Sequence, residues 1–111
     1  QGDKFLANNP PEVDYHGFLA EGYVLSGADE AEEILNRAHK VVYGEDLTEL
    51  ATTATTDARF FGLYADTPGL VYGPIAENIH GFDERVSLES VRRNTQAMAM
   101  FIAEWCGLNP A

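Results

Sequence analysis

The chain has 111 residues, which is enough for one domain with a modest hydrophobic core. Hydrophobic residues make up 45% of it, a share typical of a folded globular protein rather than of a disordered segment. Its 18 acidic and 7 basic residues give a formal net charge of −11, which disfavours nucleic acid and anionic membrane surfaces as partners because both bind clustered Lys and Arg.

The single cysteine, Cys106, indicates a reducing environment, because it has no second cysteine with which to form an internal disulfide. No run approaches the ~20 apolar residues of a membrane span, and the start of the sequence has no pattern of a signal peptide. We therefore expect a cytoplasmic location without membrane attachment. Cys106 falls near the end of an apolar helical stripe and is expected to be a buried small hydrophobe.

The first part of the chain is predicted to be extended. Residues 1–11 form a polar connector, in which residues 8–11 (Asn-Asn-Pro-Pro) disfavour both helix and central strand. Residues 13–24 are rich in aromatic and β-branched side chains and predict one or two strands. Because no hairpin partner is near in the sequence, such a strand must pair with one from elsewhere.

A helix is predicted from Ser26, a good N-cap, to about Tyr43, with Gly44 just after its end. Acidic residues crowd its first turns, where the helix dipole favours them. Apolar residues three and four positions apart form one face that we expect to be buried: Ala31, Ile34, Leu35, Ala38, Val41 and Val42.

Shorter elements are predicted in the middle of the chain. Residues 50–55 suit a short strand, and residues 56–61 suit a helix of one or two turns with a threonine cap. A turn at residues 66–69 then leads into a second apolar run, residues 69–74, in which residues 70–73 are predicted to form a buried strand.

The last helix is predicted to begin after its N-cap Ser87 and to end at Gly107. The order of strands and helices predicts an α/β sheet with helices on its faces, and three short strands fit part of a domain better than a whole one. The expected buried stripe of the last helix is Val91, Thr95, Met98, Phe101, Ile102 and Trp105.

His80 is the first candidate for chemistry. It lies in a polar loop, residues 78–84, just after the predicted strand at residues 70–73. Active sites of α/β sheets gather at the carboxyl ends of strands, and the neighbouring Asp83 and Glu84 are able to orient an imidazole. A metal or catalytic role competes with a purely structural one, in which His80 is bonded to one of these two carboxylates.

Thr55 and Arg59 are the second candidates. A helix N-terminus with hydroxyls and free backbone N–H groups is able to bind an anion. Arg59 adds a guanidinium group that can donate two hydrogen bonds to one carboxylate. The alternative is a local contact between Asp57 and Arg59 with ordinary helix capping. His39, by contrast, lies on a polar or boundary face near the end of its helix and is expected to have no functional role.

Four short motifs follow one another along the chain: Thr56-Asp57-Ala58-Arg59-Phe60, Tyr72-Gly73-Pro74, Asn78-Ile79-His80, and Asp83-Glu84 before Val86. Their order resembles the C-terminal part of the acetylornithine deacetylase/succinyl-diaminopimelate desuccinylase family, whose relatives include aminoacylases and glutamate carboxypeptidases. The resemblance implies a dinuclear zinc hydrolase, with cobalt as an alternative metal, that cleaves amide bonds in N-acyl amino acids or small peptides. It implies that His80 is a zinc ligand and, less directly, that Thr55 and Arg59 contact the substrate carboxylate.

The resemblance also implies a domain arrangement. Residues 1–22 would be the end of a lid (dimerisation) domain with its closing, return strand, and residues 23–111 the C-terminal part of a three-layer zinc-peptidase-like catalytic domain. The family's other metal ligands and its general base have no counterpart here. We therefore expect a fragment that is inactive alone, completed by the remainder of its own polypeptide and homodimeric when intact. The alternatives are a free-standing acidic α/β interaction module and a family member that has lost its metal.

Overall fold

Two long helices packed against each other form the centre of the molecule, which is described here by a computed structural model over residues 2–109. The other elements are two short helices and one two-stranded antiparallel sheet. In chain order the elements are α1 (Lys4–Asn8), α2 (Asp29–Tyr43), α3 (Ala58–Tyr64), β1 (Ala76–Glu77), β2 (Arg85–Val86) and α4 (Leu88–Cys106).

The end of α2 is confirmed at Gly44, whose φ of 85° is left-handed and whose N–H donates to Lys40 O at 2.9 Å. Its predicted start is wrong, because the helix begins at Asp29 and Ser26 does not cap it. Gly27 explains the difference. Its φ of 71° is incompatible with a right-handed helix, so the helix begins only after it.

Both predicted ends of α4 are confirmed. Ser87 is its N-cap, with Oγ accepting a hydrogen bond from Ser90 N at 3.2 Å, and Gly107 follows the last helical residue with a φ of 75°. The expectation that Cys106 is buried is wrong, since its side chain is exposed.

The core is the contact between α2 and α4. Four of the six residues predicted to form the buried face of α2 are buried, whereas Val41 is exposed and Val42 is half-buried. On α4 the buried residues are Ser90 and Ala97, both small, which lets the two helix backbones approach closely. An ion pair between Arg37 and Glu104, with 2.5 Å between Nη2 and Oε1, joins the helices at the surface.

The predicted buried stripe of α4 is largely wrong. Val91, Ile102 and Trp105 are 38%, 52% and 51% exposed. The helix instead turns the neighbouring face toward α2, through Ser90 and Ala97, while Met98 and Phe101 lie half-buried at its border. The helix therefore carries a second apolar stripe that α2 does not cover.

The three predicted strands are not formed among the described residues. Residues 13–24, 50–55 and 70–73 are irregular. A strand exists only when a neighbour pairs with its N–H and C=O groups, and these segments have no such neighbour here. The observed strands, β1 and β2, were not predicted. Helices and strands are nevertheless mixed, as expected for part of an α/β protein.

The connector at residues 1–11 contains a short helix that was not predicted, α1. Asp3 caps it, with Oδ1 accepting hydrogen bonds from Phe5 N at 2.8 Å and Leu6 N at 3.1 Å. The helix ends at Asn8, before Pro10. The prediction of an irregular connector therefore holds only for the residues after the helix.

The described chain is elongated, measuring 72 × 36 × 25 Å. Its radius of gyration of 19.8 Å compares with about 13 Å for a compact domain of this length. Many large apolar side chains are exposed as a result, among them Phe18, Leu50, Val71 and Phe82. Across residues 2–109, no helix has both the length and the apolar content that crossing a membrane requires.

Candidate functional site

A β-hairpin presents His80. Strands β1 and β2 are antiparallel, with Ala76 opposite Val86 and Glu77 opposite Arg85. The side chains of Glu77 and Arg85 form an ion pair across the strands. These contacts hold the two ends of the loop at residues 78–84, which carries His80, next to each other.

The hairpin loop turns back through residues with positive φ. Asn78, His80 and Asp83 have φ values of 54°, 63° and 57°, and Gly81 N donates to Asn78 O at 2.7 Å. Asn, Asp and His tolerate the left-handed region better than other non-glycine residues. Left-handed residues of these types occur in tight turns and also at functional sites, so the loop geometry is compatible with both readings of His80.

The imidazole of His80 is exposed, and in the described part of the chain it is not hydrogen-bonded to Asp83 or Glu84. The structural alternative, a ring bonded to one of these carboxylates, is therefore not observed. As an exposed histidine, His80 is accessible to a ligand from solvent.

The residues described fit one ligand of a zinc site and not a whole site. Zinc in proteins takes at least three protein ligands, from His, Cys, Asp or Glu. Between residues 2 and 109, no group of three or more such side chains is close enough to hold a metal ion. His80 is the residue that the sequence nominates as one such ligand.

Thr55 and Arg59 lie close together. Both line an open hollow of about 470 Å³ at the start of α3. The turn before the helix is shaped by Thr56, whose Oγ1 accepts a hydrogen bond from Ala58 N at 3.3 Å and whose carbonyl accepts one from Arg59 N at 3.3 Å. The hollow is lined by Phe18, Thr55, Thr56, Asp57, Arg59 and Phe60.

Aromatic rings hold the guanidinium of Arg59. Its Cζ lies 4.2 Å from the ring centroid of Phe60 and 5.9 Å from that of Phe18. Within residues 2–109 no carboxylate pairs with Arg59, so the predicted alternative, a local contact with Asp57, is not observed. The helix α3 has only seven residues and a weak dipole, so the anion-binding capacity of the hollow rests on Arg59.

Phe18 is the residue of this hollow that sequence reasoning missed. It was assigned to a strand because of its aromatic surroundings, yet it lies 78% exposed beside Arg59. The contact joins residues 41 positions apart in sequence, which no local pattern could indicate. His80 does not line the hollow, so the two candidate sites lie on separate segments.

His39 packs inside the molecule rather than facing a site. Its ring stacks on Tyr43, with centroids 4.3 Å apart, and its Nδ1 is hydrogen-bonded to the hydroxyl of Tyr72 at 2.9 Å. Burial raises the pKa of Tyr72 to about 12, so its hydroxyl keeps its proton at neutral pH. His39 thereby attaches the segment before the hairpin to α2.

Comparison with protein-family models shows a match to peptidase family M20/M25/M40 over residues 11–104. The matched range includes α2, α3, the hairpin and nearly all of α4. Phe18, Thr55, Arg59 and His80 all fall within it.

Proposed function

The chain belongs to peptidase family M20/M25/M40, whose members are metal-dependent hydrolases, and from this membership we propose that it is part of a zinc-dependent amide hydrolase. In this proposal it supplies one metal ligand, His80, and a substrate-binding hollow around Arg59. The remaining ligands and the general base come from residues of the same polypeptide outside this chain.

The proposed role of His80 is to hold a zinc ion through one neutral ring nitrogen. The exposed imidazole on a loop with three left-handed residues is the observation that carries this assignment. When bound, a zinc ion acidifies a water molecule and polarises the carbonyl of the scissile amide. The hairpin presents the ring at a defined position for that ion.

The proposed role of Arg59 is to bind the free carboxylate of an N-acyl amino acid or small peptide. Its guanidinium is planar and can donate two parallel hydrogen bonds to a carboxylate. Phe60 and Phe18 restrict its movement, so less conformational entropy is lost when the substrate binds. The hydroxyl of Thr55, in the same hollow, adds a further donor. Together they would hold the carboxylate end of the substrate.

We further propose the acetylornithine deacetylase/succinyl-diaminopimelate desuccinylase branch of the family, in a cytoplasmic homodimer. The ordered motifs from residue 56 to residue 86 support this branch. In the three-layer fold of that branch, residues 1–22 end the lid domain and the unpaired segments at residues 50–55 and 70–73 join strands from outside the chain. The many apolar side chains exposed along these segments support such a covering.

The test uses the full-length gene product and three variants, H80A, R59A and the control H16A, which replaces another exposed histidine outside the hairpin. We expect H80A to lose at least one zinc ion per chain by elemental analysis and to hydrolyse N-acetyl amino acids at least a hundredfold more slowly. R59A is expected to keep its zinc and to raise KM at least tenfold, whereas H16A keeps both zinc and activity.

Two outcomes would contradict the proposal. Equal zinc content in H80A and the unaltered protein would remove His80 from the metal site. A gene product that binds no zinc and cleaves no N-acyl amino acid would instead be a metal-less family member or an interaction module.

A further inference from the structure

Ser90 forms hydrogen bonds to three different parts of the chain, although it touches neither candidate site. It is only 3% exposed, in the first turn of α4. Its hydroxyl donates to Ser87 O at 2.7 Å and accepts from Ile75 N at 2.9 Å. Its own carbonyl accepts a hydrogen bond from the hydroxyl of Tyr43 at 3.2 Å. One small buried side chain thus connects α4, the base of the hairpin and α2.

The hydroxyl of Ser90 replaces a missing sheet hydrogen bond. In the register of the hairpin, Ile75 lies opposite Ser87, as the pair next to Ala76 and Val86. Paired residues of this kind normally exchange two N–H···O bonds. One is present, from Ser87 N to Ile75 O at 3.0 Å.

The second bond of this pair is not made directly. Ser87 O accepts hydrogen bonds from Val91 N at 3.0 Å and from the hydroxyl of Ser90 at 2.7 Å, and Ile75 N donates to that hydroxyl instead. The hydroxyl of Ser90 lies between the two groups. It accepts a hydrogen bond from Ile75 N and donates one to Ser87 O. The hairpin is therefore continued into the helix by a side chain.

We propose that Ser90 is a positioning residue for His80, an inference that rests on the proposed function. By joining Ile75 and Ser87, it attaches both strands of the hairpin to α4 at the base of the hairpin, with the two residues of each strand between this base and the loop. Tyr43 extends the attachment to α2, the other half of the core. His80, five positions after Ile75, is then presented from a rigid base. A metal ligand on a loose base would bind with a larger loss of conformational entropy.

A matched pair of variants separates positioning from helix stability. S90A removes the bridge and leaves the N–H of Ile75 without its partner. S87A deletes a hydroxyl of the same kind at the same helix start, and it removes only the N-cap bond to Ser90 N. The backbone groups of Ser87 and the bridge through Ser90 remain in S87A. S90T keeps the hydroxyl and serves as the conservative variant.

The test uses the full-length gene product in these three variants and in H80A. Zinc affinity is measured by competition with a chelator, and hydrogen exchange and backbone order parameters are measured by NMR at Ile75 and residues 78–84. We expect S90A to bind zinc about tenfold more weakly, to exchange the Ile75 N–H at least tenfold faster and to lower the order parameters of the loop. S87A, although it is less stable to unfolding, is expected to keep zinc affinity within about twofold, and S90T to restore it.

Equal zinc affinities and equal loop order in S90A and S87A would overturn the inference, because the bridge would then contribute only stability. If H80A binds zinc as tightly as the unaltered protein, it is the proposed function that fails. In that case, the inference is decided by the hydrogen-exchange rate of the Ile75 N–H and the backbone order parameters of residues 78–84. An S90A loop as ordered as the S87A loop overturns it, and a selectively disordered one supports it.

Discussion

A single side chain, Tyr23, holds α3 in place by touching two glycines. Its hydroxyl accepts a hydrogen bond from Gly69 N at 3.0 Å. Its ring lies so close to Gly62 that a Cβ there would come within 1.9 Å of a ring carbon. Gly69 also lies against the helix, since a Cβ on it would meet Ala58 O at 2.9 Å. Because α3 carries Arg59, these contacts position the backbone from which the Arg59 side chain extends.

The variant G62A sets two effects of opposite sign against each other. Replacing a helical glycine by alanine normally stabilises a protein by about 1 kcal/mol. Here the added methyl group displaces the ring of Tyr23, and overpacking of this kind costs about 1–3 kcal/mol. We expect G62A to unfold at a lower denaturant concentration. The control is G22A, because a Cβ at Gly22 meets nothing within 4 Å. A G62A protein more stable than the unaltered chain would show that Tyr23 does not pack on α3.

At the scale of the element, the start of α4 is held by a cluster of ion pairs. Glu89 accepts from Arg92 at 2.6 Å and from Arg93 at 3.0 Å. Hydrogen bonds from these two guanidinium groups lower the pKa of Glu89 from 4.5 to about 2. A carboxylate in the first turn also interacts favourably with the helix dipole. The first turn matters beyond α4, because Ser90 follows Glu89 directly and connects to the hairpin.

The lowered pKa of Glu89 predicts how this stabilisation depends on pH. A carboxyl whose pKa is lower in the folded state stabilises the protein above its unfolded pKa of about 4.5, and the stabilisation is lost as the pH falls toward 2. We expect E89Q to show a shallower loss of helix content between pH 5 and pH 2 by circular dichroism. The groups are exposed, so added salt is expected to reduce the difference between the two proteins. Parallel curves for E89Q and the unaltered chain would contradict this assignment.

At the scale of the whole molecule, the described chain has a small core and a large apolar surface. The core consists mainly of alanines with Ile34 and Leu35, while α4 exposes Ile102 and Trp105 on its second stripe. Apolar surface of this extent on one chain marks sites that other protein surfaces cover. Under the proposed function, the surfaces that cover this apolar area belong to the rest of the same polypeptide.

This surface predicts poor folding cooperativity for residues 1–111 expressed alone. A core this small buries little apolar area against the conformational entropy lost on folding. We expect a broad thermal transition and strong binding of a dye that reports exposed apolar surface. A sharp, two-state melt of a monomer without dye binding would show that the chain is complete by itself. It would favour the free-standing interaction module over the incomplete hydrolase.

The parts of the fold that depend on neighbouring residues were predictable. Gly44 and Gly107 end helices because glycine adopts positive φ without strain, and Ser87 begins one because its hydroxyl satisfies a free N–H. The placement of Thr55 and Arg59 in one hollow follows in the same way from their spacing at a helix start. Partners distant in sequence were not predictable, as Phe18 shows by lying beside Arg59.

The sequence by itself determined the two long helices, the end of α2 and both ends of α4, the candidate residues and the family to which they point. These depend on side-chain chemistry within a few positions, and on motifs in a readable order. Only the tertiary structure decided which face of α4 meets α2, that segments with strand composition remain unpaired, and that Ser90 joins the hairpin to the helix. Each of these features depends on contacts between residues that are far apart along the chain. The free energy of such contacts cannot be read from a local sequence pattern, because it depends on which distant residues meet in the fold.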